Sequence, residues 1–243
     1  MRYSYYIGVL FLGIFLTSCG GASASKVSPL VASDTLHHYD TLIFPGSKVV
    51  FTPIEKTAYD QLADQGFAAD GPNDDAPLLK RDGAFISKKD STLTIRCANN
   101  EVVKLTEQCS CDGDDYIDYT YGGRLNNSAL LVFKVGYYEK LDYLLVNLNT
   151  GKKTKTWGRP ELAPDGKTLV ASSFDLDVGF LHNGMQLFAV TSDSLRPVWE
   201  KEFETWGPEE VKWADSQTLF VKQATPQGTQ KEILAFSKVQ LGK

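Results

Sequence analysis

Three features of the sequence predict an all-β fold of repeated four-stranded antiparallel meanders, propeller-like in organisation, with one short helix near the N-terminus. The first is an internal repeat. Thr156-Trp157-Gly158-Arg159-Pro160-Glu161 returns as Thr205-Trp206-Gly207-Pro208-Glu209, and Asp165 with Thr168-Leu169 returns as Asp215 with Thr218-Leu219, keeping a register of 49 or 50 residues. The second is a series of short apolar runs paired across turn residues. The third is that a helical period surfaces in one stretch only. A repeat of this length built from short strands is how one blade of a β-propeller, or a related stacked meander, looks in sequence.

The elements follow in order. Thr41-Leu42-Ile43-Phe44 and Lys48-Val49-Val50-Phe51 flank Pro45-Gly46-Ser47, predicting a strand, a turn and a strand. Thr52-Pro53-Ile54-Glu55 then reads as a capping box with Pro at the first helical position. Ile54, Ala58 and Leu62 fall four apart with Tyr59 beside them, so a helix of about three turns is expected to pack on the sheet before Gly66 stops it. Asp70 to Pro77 is a loop by composition. Leu93 to Cys97 and Val102 to Leu105 form a hairpin about Ala98-Asn99-Asn100. Tyr143 to Leu148 with Lys152 to Trp157, and Gln186 to Val190 with Pro197 to Trp199, repeat that form, and Glu232 to Phe236 is the last run of its kind. The units fall at roughly 35–110, 111–157, 158–206 and 207–243, the first irregular and the last short. About four such units would make either a small closed ring or an open twisted assembly.

At the N-terminus, Arg2 precedes an apolar run from Tyr5 to Leu16, too short to span a bilayer, which needs roughly 20 residues. The run is a signal-peptide core. It ends in Leu16-Thr17-Ser18-Cys19, which resembles the lipobox of bacterial lipoproteins. The resemblance implies removal of residues 1–18 and acylation of Cys19, the anchor being the acyl chains in membrane lipid. Residues 19–34 would be the acylated Cys and a small, polar tether, and 35–243 a single β domain. Gly20, and a tether without an acidic run, point by the same resemblance to the periplasmic face of an outer membrane. The chain carries 25 Lys and Arg against 30 Asp and Glu, and loss of Arg2 with the leader takes its net charge from −5 to −6. No basic stripe is present, which argues against nucleic acid as a partner.

A second resemblance is carried by Pro160-Glu161-Leu162-Ala163-Pro164-Asp165-Gly166-Lys167-Thr168-Leu169, which is similar to the Pro-x-x-Ser-Pro-Asp-Gly-Lys-x-Leu signature of WD-like propeller repeats in periplasmic Tol-system proteins. In that family the Asp-Gly turn joins the first two strands of a blade. The second copy keeps Asp215 and Leu219 but has Ser216-Gln217 in place of Gly-Lys. The resemblance implies a scaffold for protein contacts.

Beyond Cys19, the cysteines are Cys97, Cys109 and Cys111. An oxidising compartment favours a disulfide, from Cys97 to Cys109 or Cys111 or between the latter two, over a metal site. Asp112, Asp114, Asp115 and Asp118 form the densest carboxylate cluster and are the candidate calcium ligands, although their spacing departs from the EF-hand pattern and suits a solvated turn better. Catalytic motifs and nucleotide fingerprints are absent from the sequence, no cofactor is implied, and His37, His38 and His182 are its only imidazoles. The candidate binding surface is aromatic, with Tyr137, Tyr138, Trp199 and Trp213 as its residues, since aromatic platforms hold glycans and proteins. Trp157 and Trp206, being repeat-equivalent, are expected to pack alike between units. The expectation is a lipid-anchored, non-catalytic interaction module of the cell envelope, meeting envelope proteins or glycan. Its alternatives are an envelope hydrolase acting through paired carboxylates on glycan or peptide, and a calcium-stabilised structural protein.

Overall fold

The computed structural model describes residues 41–44, 47–63, 74–108, 115–176, 178–226 and 232–241. Cys19, His37, His38, Cys109, Cys111, Asp112 and Asp114 therefore lie outside the described residues. The fold is mostly β. In chain order the elements are β1 (Thr41–Phe44), β2 (Ser47–Pro53), α1 (Lys56–Asp60), α2 (Ala76–Arg81), β3 (Ile86–Lys89), β4 (Thr92–Arg96) and β5 (Val102–Thr106). They continue with β6 (Asp118–Arg124), β7 (Leu130–Gly136), β8 (Leu141–Asn147), β9 (Lys153–Thr156), β10 (Arg159–Leu162), β11 (Thr168–Ser173), β12 (Gly184–Val190) and β13 (Leu195–Glu202). The last three are β14 (Gly207–Asp215), β15 (Thr218–Pro226) and β16 (Glu232–Gln240).

These strands make four antiparallel sheets, ordered β3-β4-β5, β6-β7-β8-β9, β10-β11-β12-β13 and β1-β2-β16-β15-β14. The unit breaks at 157/158 and 206/207 coincide with breaks between sheets, whereas the first unit is divided. Phe51, Thr52 and Pro53 of β2 pair with Val239, Lys238 and Ser237 of β16, so the N-terminal strands complete the fourth sheet and the first sheet has three strands. The same pairing corrects the helix. Thr52 and Pro53 are ladder residues rather than cap and first turn, and α1 begins only at Lys56, behind Glu55, whose side chain makes no capping bond. Tyr59 is the residue that seats α1, buried against Phe236 with ring centroids 5.1 Å apart. A second short helix, α2, takes up Ala76 and Pro77 at the end of the expected loop. Its Leu78 and Leu79 pack on the apolar cluster that holds Ile95 and Phe133, and Asp82 behind it accepts bonds from Arg81 and from the buried Tyr121 hydroxyl, which lies 2.9 Å away.

Burial periodicity orders the sheets. β4 and β5 bury alternate residues, Leu93 and Ile95, then Val103 and Leu105, as strands with one face on a core do. β7, β8 and β11 are buried on both faces, as strands between two layers are. β15 alternates again. Three apolar clusters join the sheets in chain order. One sets Ile95 and Leu105 against Phe133 and Leu144, and another sets Leu130 and Leu145 against Leu169 and Phe188. The third sets Val170, Met185 and Trp199 against Phe51, Trp206, Trp213 and Val221. Among the described residues no cluster joins the fourth sheet back to the first.

The repeat is visible as geometry. Asp165 accepts the backbone N–H of Lys167 at 3.0 Å in the turn between β10 and β11, and Asp215 accepts that of Gln217 at 2.7 Å between β14 and β15. A carboxylate that holds an N–H two residues on fixes a tight turn, which is why the Asp survives where Gly166-Lys167 becomes Ser216-Gln217. The two repeat tryptophans differ. Trp206 is 1% exposed in the third cluster, whereas Trp157 is only half-buried.

Candidate functional site

Trp157 lies in the connection from β9 to β10, and its position is set by polar contacts rather than by apolar burial. The Thr156 hydroxyl donates to the Gly158 carbonyl at 2.9 Å, and the Trp157 N–H donates to Gln186 Oε1 at 2.8 Å. Gln186 stands opposite Glu200 in the β12–β13 ladder and its amide donates to that carboxylate at 3.1 Å. One glutamine therefore ties the tryptophan backbone to the edge strand. The indole stacks on His182, with centroids 4.3 Å apart and planes 15° from parallel, and His182 Nδ1 lies 2.6 Å from Glu202 Oε1. Of these groups, Trp157, Glu200 and Glu202 border an open cleft of about 700 Å³ reached also by Leu181, Asn183, Lys201, Phe203 and Glu204.

Two supports hold the cleft wall. Asn183, buried, donates its amide hydrogens to the carbonyls of Phe203 and Trp206 at 2.7 and 2.9 Å, fixing the chain as it leaves β13. Asp175 braces the loop between β11 and β12, accepting the N–H groups of Val178, Gly179 and Leu181 at 3.1, 2.9 and 2.6 Å. Burial works against its ionisation, but the N–H groups of Leu181, Gly179, Val178 and Phe180 outweigh it and hold the carboxyl below its usual value. A group with a depressed folded pKa contributes its stability above the unfolded value, about 3.9, and loses it as pH falls through the lower folded value. The amide resonances of Val178, Gly179 and Leu181 are therefore expected to titrate together with a midpoint below that of a free aspartate. That titration should vanish in Asp175→Asn, and a midpoint at or above the free value would refute the bracing role.

The residues singled out in the sequence are distributed otherwise. Trp199 and Trp213 are 6% and 2% exposed within the third cluster, and the Trp213 indole N–H donates to the Glu161 carbonyl at 3.0 Å. Neither ring offers a surface, because both lie on the faces that the third and fourth sheets turn toward their shared core. Tyr138 is 70% exposed and Tyr137 half-buried at the β7–β8 turn, where the Tyr137 hydroxyl accepts from Lys155 at 3.0 Å. Cys97 is buried with a free thiol, and burial pushes its pKa up; Cys109 and Cys111, the other candidates for a disulfide, lie outside the described residues. Asp115 is exposed, and Asp118 leans over Gly136. No group of three metal-binding side chains occurs among the described residues.

Gln186, Asn183, Glu200 and Glu202 escaped the sequence reading. The alternation Glu200-Lys201-Glu202-Phe203-Glu204 was the available signal, since acids two apart on a strand share a face. A smaller cavity of about 230 Å³ under α1 is less promising for a charged ligand. Its Lys56, Lys212 and Lys222 already face Asp60, Glu210 and Glu209. No protein-family model, curated protein or solved structure matches the chain. Among the described residues no helix is long and apolar enough to cross a membrane.

Proposed function

We infer that this chain is a lipid-anchored, non-catalytic binding module of the cell envelope, built as an open, propeller-like stack of four meanders and tethered through Cys19. The observation that carries the binding reading is the cleft beside β13. Trp157 and Asn183, which line it, are held by hydrogen bonds to Gln186 and to backbone carbonyls, which pre-forms a wall before any ligand arrives. The cleft volume suits recognition of a side chain or a short segment. Its described lining has no Ser, Thr or Cys to act as nucleophile, and the nearby His182 imidazole, stacked on Trp157, is paired with Glu202, which favours binding over acyl transfer. The lipobox and the short apolar run before it support the anchor, and the N-terminal closure of the fourth sheet supports the propeller-like reading.

The test uses cells expressing the full chain, its Cys19→Ala variant and its Trp157→Ala variant, labelled with an alkyne fatty acid and cross-linked before detergent extraction. Label and membrane fractionation are expected in the full chain and absent in Cys19→Ala. A cross-linked envelope component is expected to be lost in Trp157→Ala while the protein stays folded. Label on Cys19→Ala defeats the anchor, and cross-linking unchanged in Trp157→Ala defeats the cleft.

A further inference from the structure

The cleft opens along an unpartnered strand edge, and this, resting on the binding reading above, identifies the partner's chemistry. β13 ends the third sheet, so among the described strands it pairs with β12 alone. The ladder slips at Val198 and then runs regularly from Trp199 to Glu202, opposite Leu187 to Gly184. Such an edge presents alternate N–H and C=O groups to an incoming extended chain. Glu200 and Glu202 lie on one side of it, two residues and roughly 6.7 Å apart. Both border the cleft, and the Glu202 side chain is 59% exposed even while it holds His182. At the same cleft the Asp175-braced loop carries Val178 and Phe180, 64% and 54% exposed, immediately before Leu181 of the lining. Apolar side chains held out on a braced loop are anchors of the kind that dominate interfaces.

We propose that this edge and loop receive an extended basic segment of a partner protein, with Lys or Arg at alternate positions facing Glu200 and Glu202 and an apolar residue against Phe180 and Val178. Charge decides the occupant. Three glutamates border the cleft against Lys201, and His182 is taken up by Glu202. The same carboxylates repel anionic headgroups, so an apolar tip beside them is poorly placed for a lipid surface.

The experiment measures fluorescence anisotropy of a labelled nine-residue peptide carrying Lys at alternate positions and one Phe, titrated with detergent-solubilised full chain. Binding is expected to weaken about tenfold in the Glu200→Gln/Glu202→Gln double variant and by a similar factor in Phe180→Ser, and to weaken as salt is raised. All three positions are exposed at their side chains or on a loop, and an unchanged thermal melt checks that each variant is folded. A matched peptide with Glu in place of Lys should not bind. Equal binding of that peptide, no loss in either variant, or capture of anionic lipid vesicles in place of the peptide overturns the proposal. If the peptide fails while cross-linking still depends on Trp157, the binding reading stands and the basic-segment assignment falls.

Discussion

Trp206→Ala is expected to lower stability by about 3–5 kcal/mol, the cost of removing a large aromatic side chain from a core that does not collapse around the gap. Trp206 is 1% exposed and meets Phe203 in a stacked pair at 4.0 Å and Phe51 edge-on at 5.3 Å. Phe51 comes from β2, so the indole joins the fourth sheet's N-terminal strand to the chain leaving the third sheet. Its loss should loosen the β2–β16 closure as well as the core. For a domain of this size the expected fall in melting temperature is on the order of 10 °C. The repeat-equivalent change, Trp157→Ala, should cost about 1 kcal/mol or less, because that ring is half-exposed and stacks on a half-exposed imidazole. Thermal or urea unfolding of the pair measures the difference, and equal losses would refute the division of the two tryptophans into a core residue and a site residue.

That division also marks how far the sequence could be read. Period-two runs with turn residues between them fixed the hairpins from Leu93, Tyr143 and Gln186, because alternation follows directly from one face meeting a core. The repeat located the third and fourth sheets and their Asp-held turns. What it could not locate was the partner of β2. Pairing of Phe51 with Val239 is a long-range choice that leaves no local trace, and it overrode a well-formed capping box at Thr52. Helix α2 escaped for a related reason. Its six residues are too few to show a period, and it is held by Leu78, Leu79 and the Asp82–Tyr121 bond rather than by propensity. At the site, Trp157, His182 and Glu202 sit on three separate segments, and only the fold brings them together. The aromatic count pointed to Trp199 and Trp213, but number of aromatics carries no information about which face of a strand they occupy.

Gly158→Ala is expected to cost about 3 kcal/mol, at the upper end for overpacking, because the obstruction is backbone and cannot swing aside. A Cβ on Gly158 would lie 1.9 Å from the Ser172 carbonyl oxygen and 2.7 Å from its carbon. Arg159 pairs with Ser172 at the mouth of the β10–β11 ladder, so relief would require this register to open and would carry Trp157 with it. The glycine is required for space, since its φ is not positive. Gly166, in the turn between the same two strands, makes the contrast. It has φ +71° and nothing within 4 Å of an added Cβ, so Gly166→Ala should cost only the left-handed penalty of roughly 1–2 kcal/mol. The Trp-Gly pair recurs in the repeat for the same spatial reason, since a Cβ on Gly207 would fall 2.0 Å from Asn183 Oδ1 and 2.4 Å from the Phe174 ring. Urea unfolding should therefore rank Gly158→Ala well below Gly166→Ala in stability, with partial loss of cleft binding in the former alone. The reverse ranking would mean that backbone conformation, rather than close approach, is what the repeat conserves between its two copies.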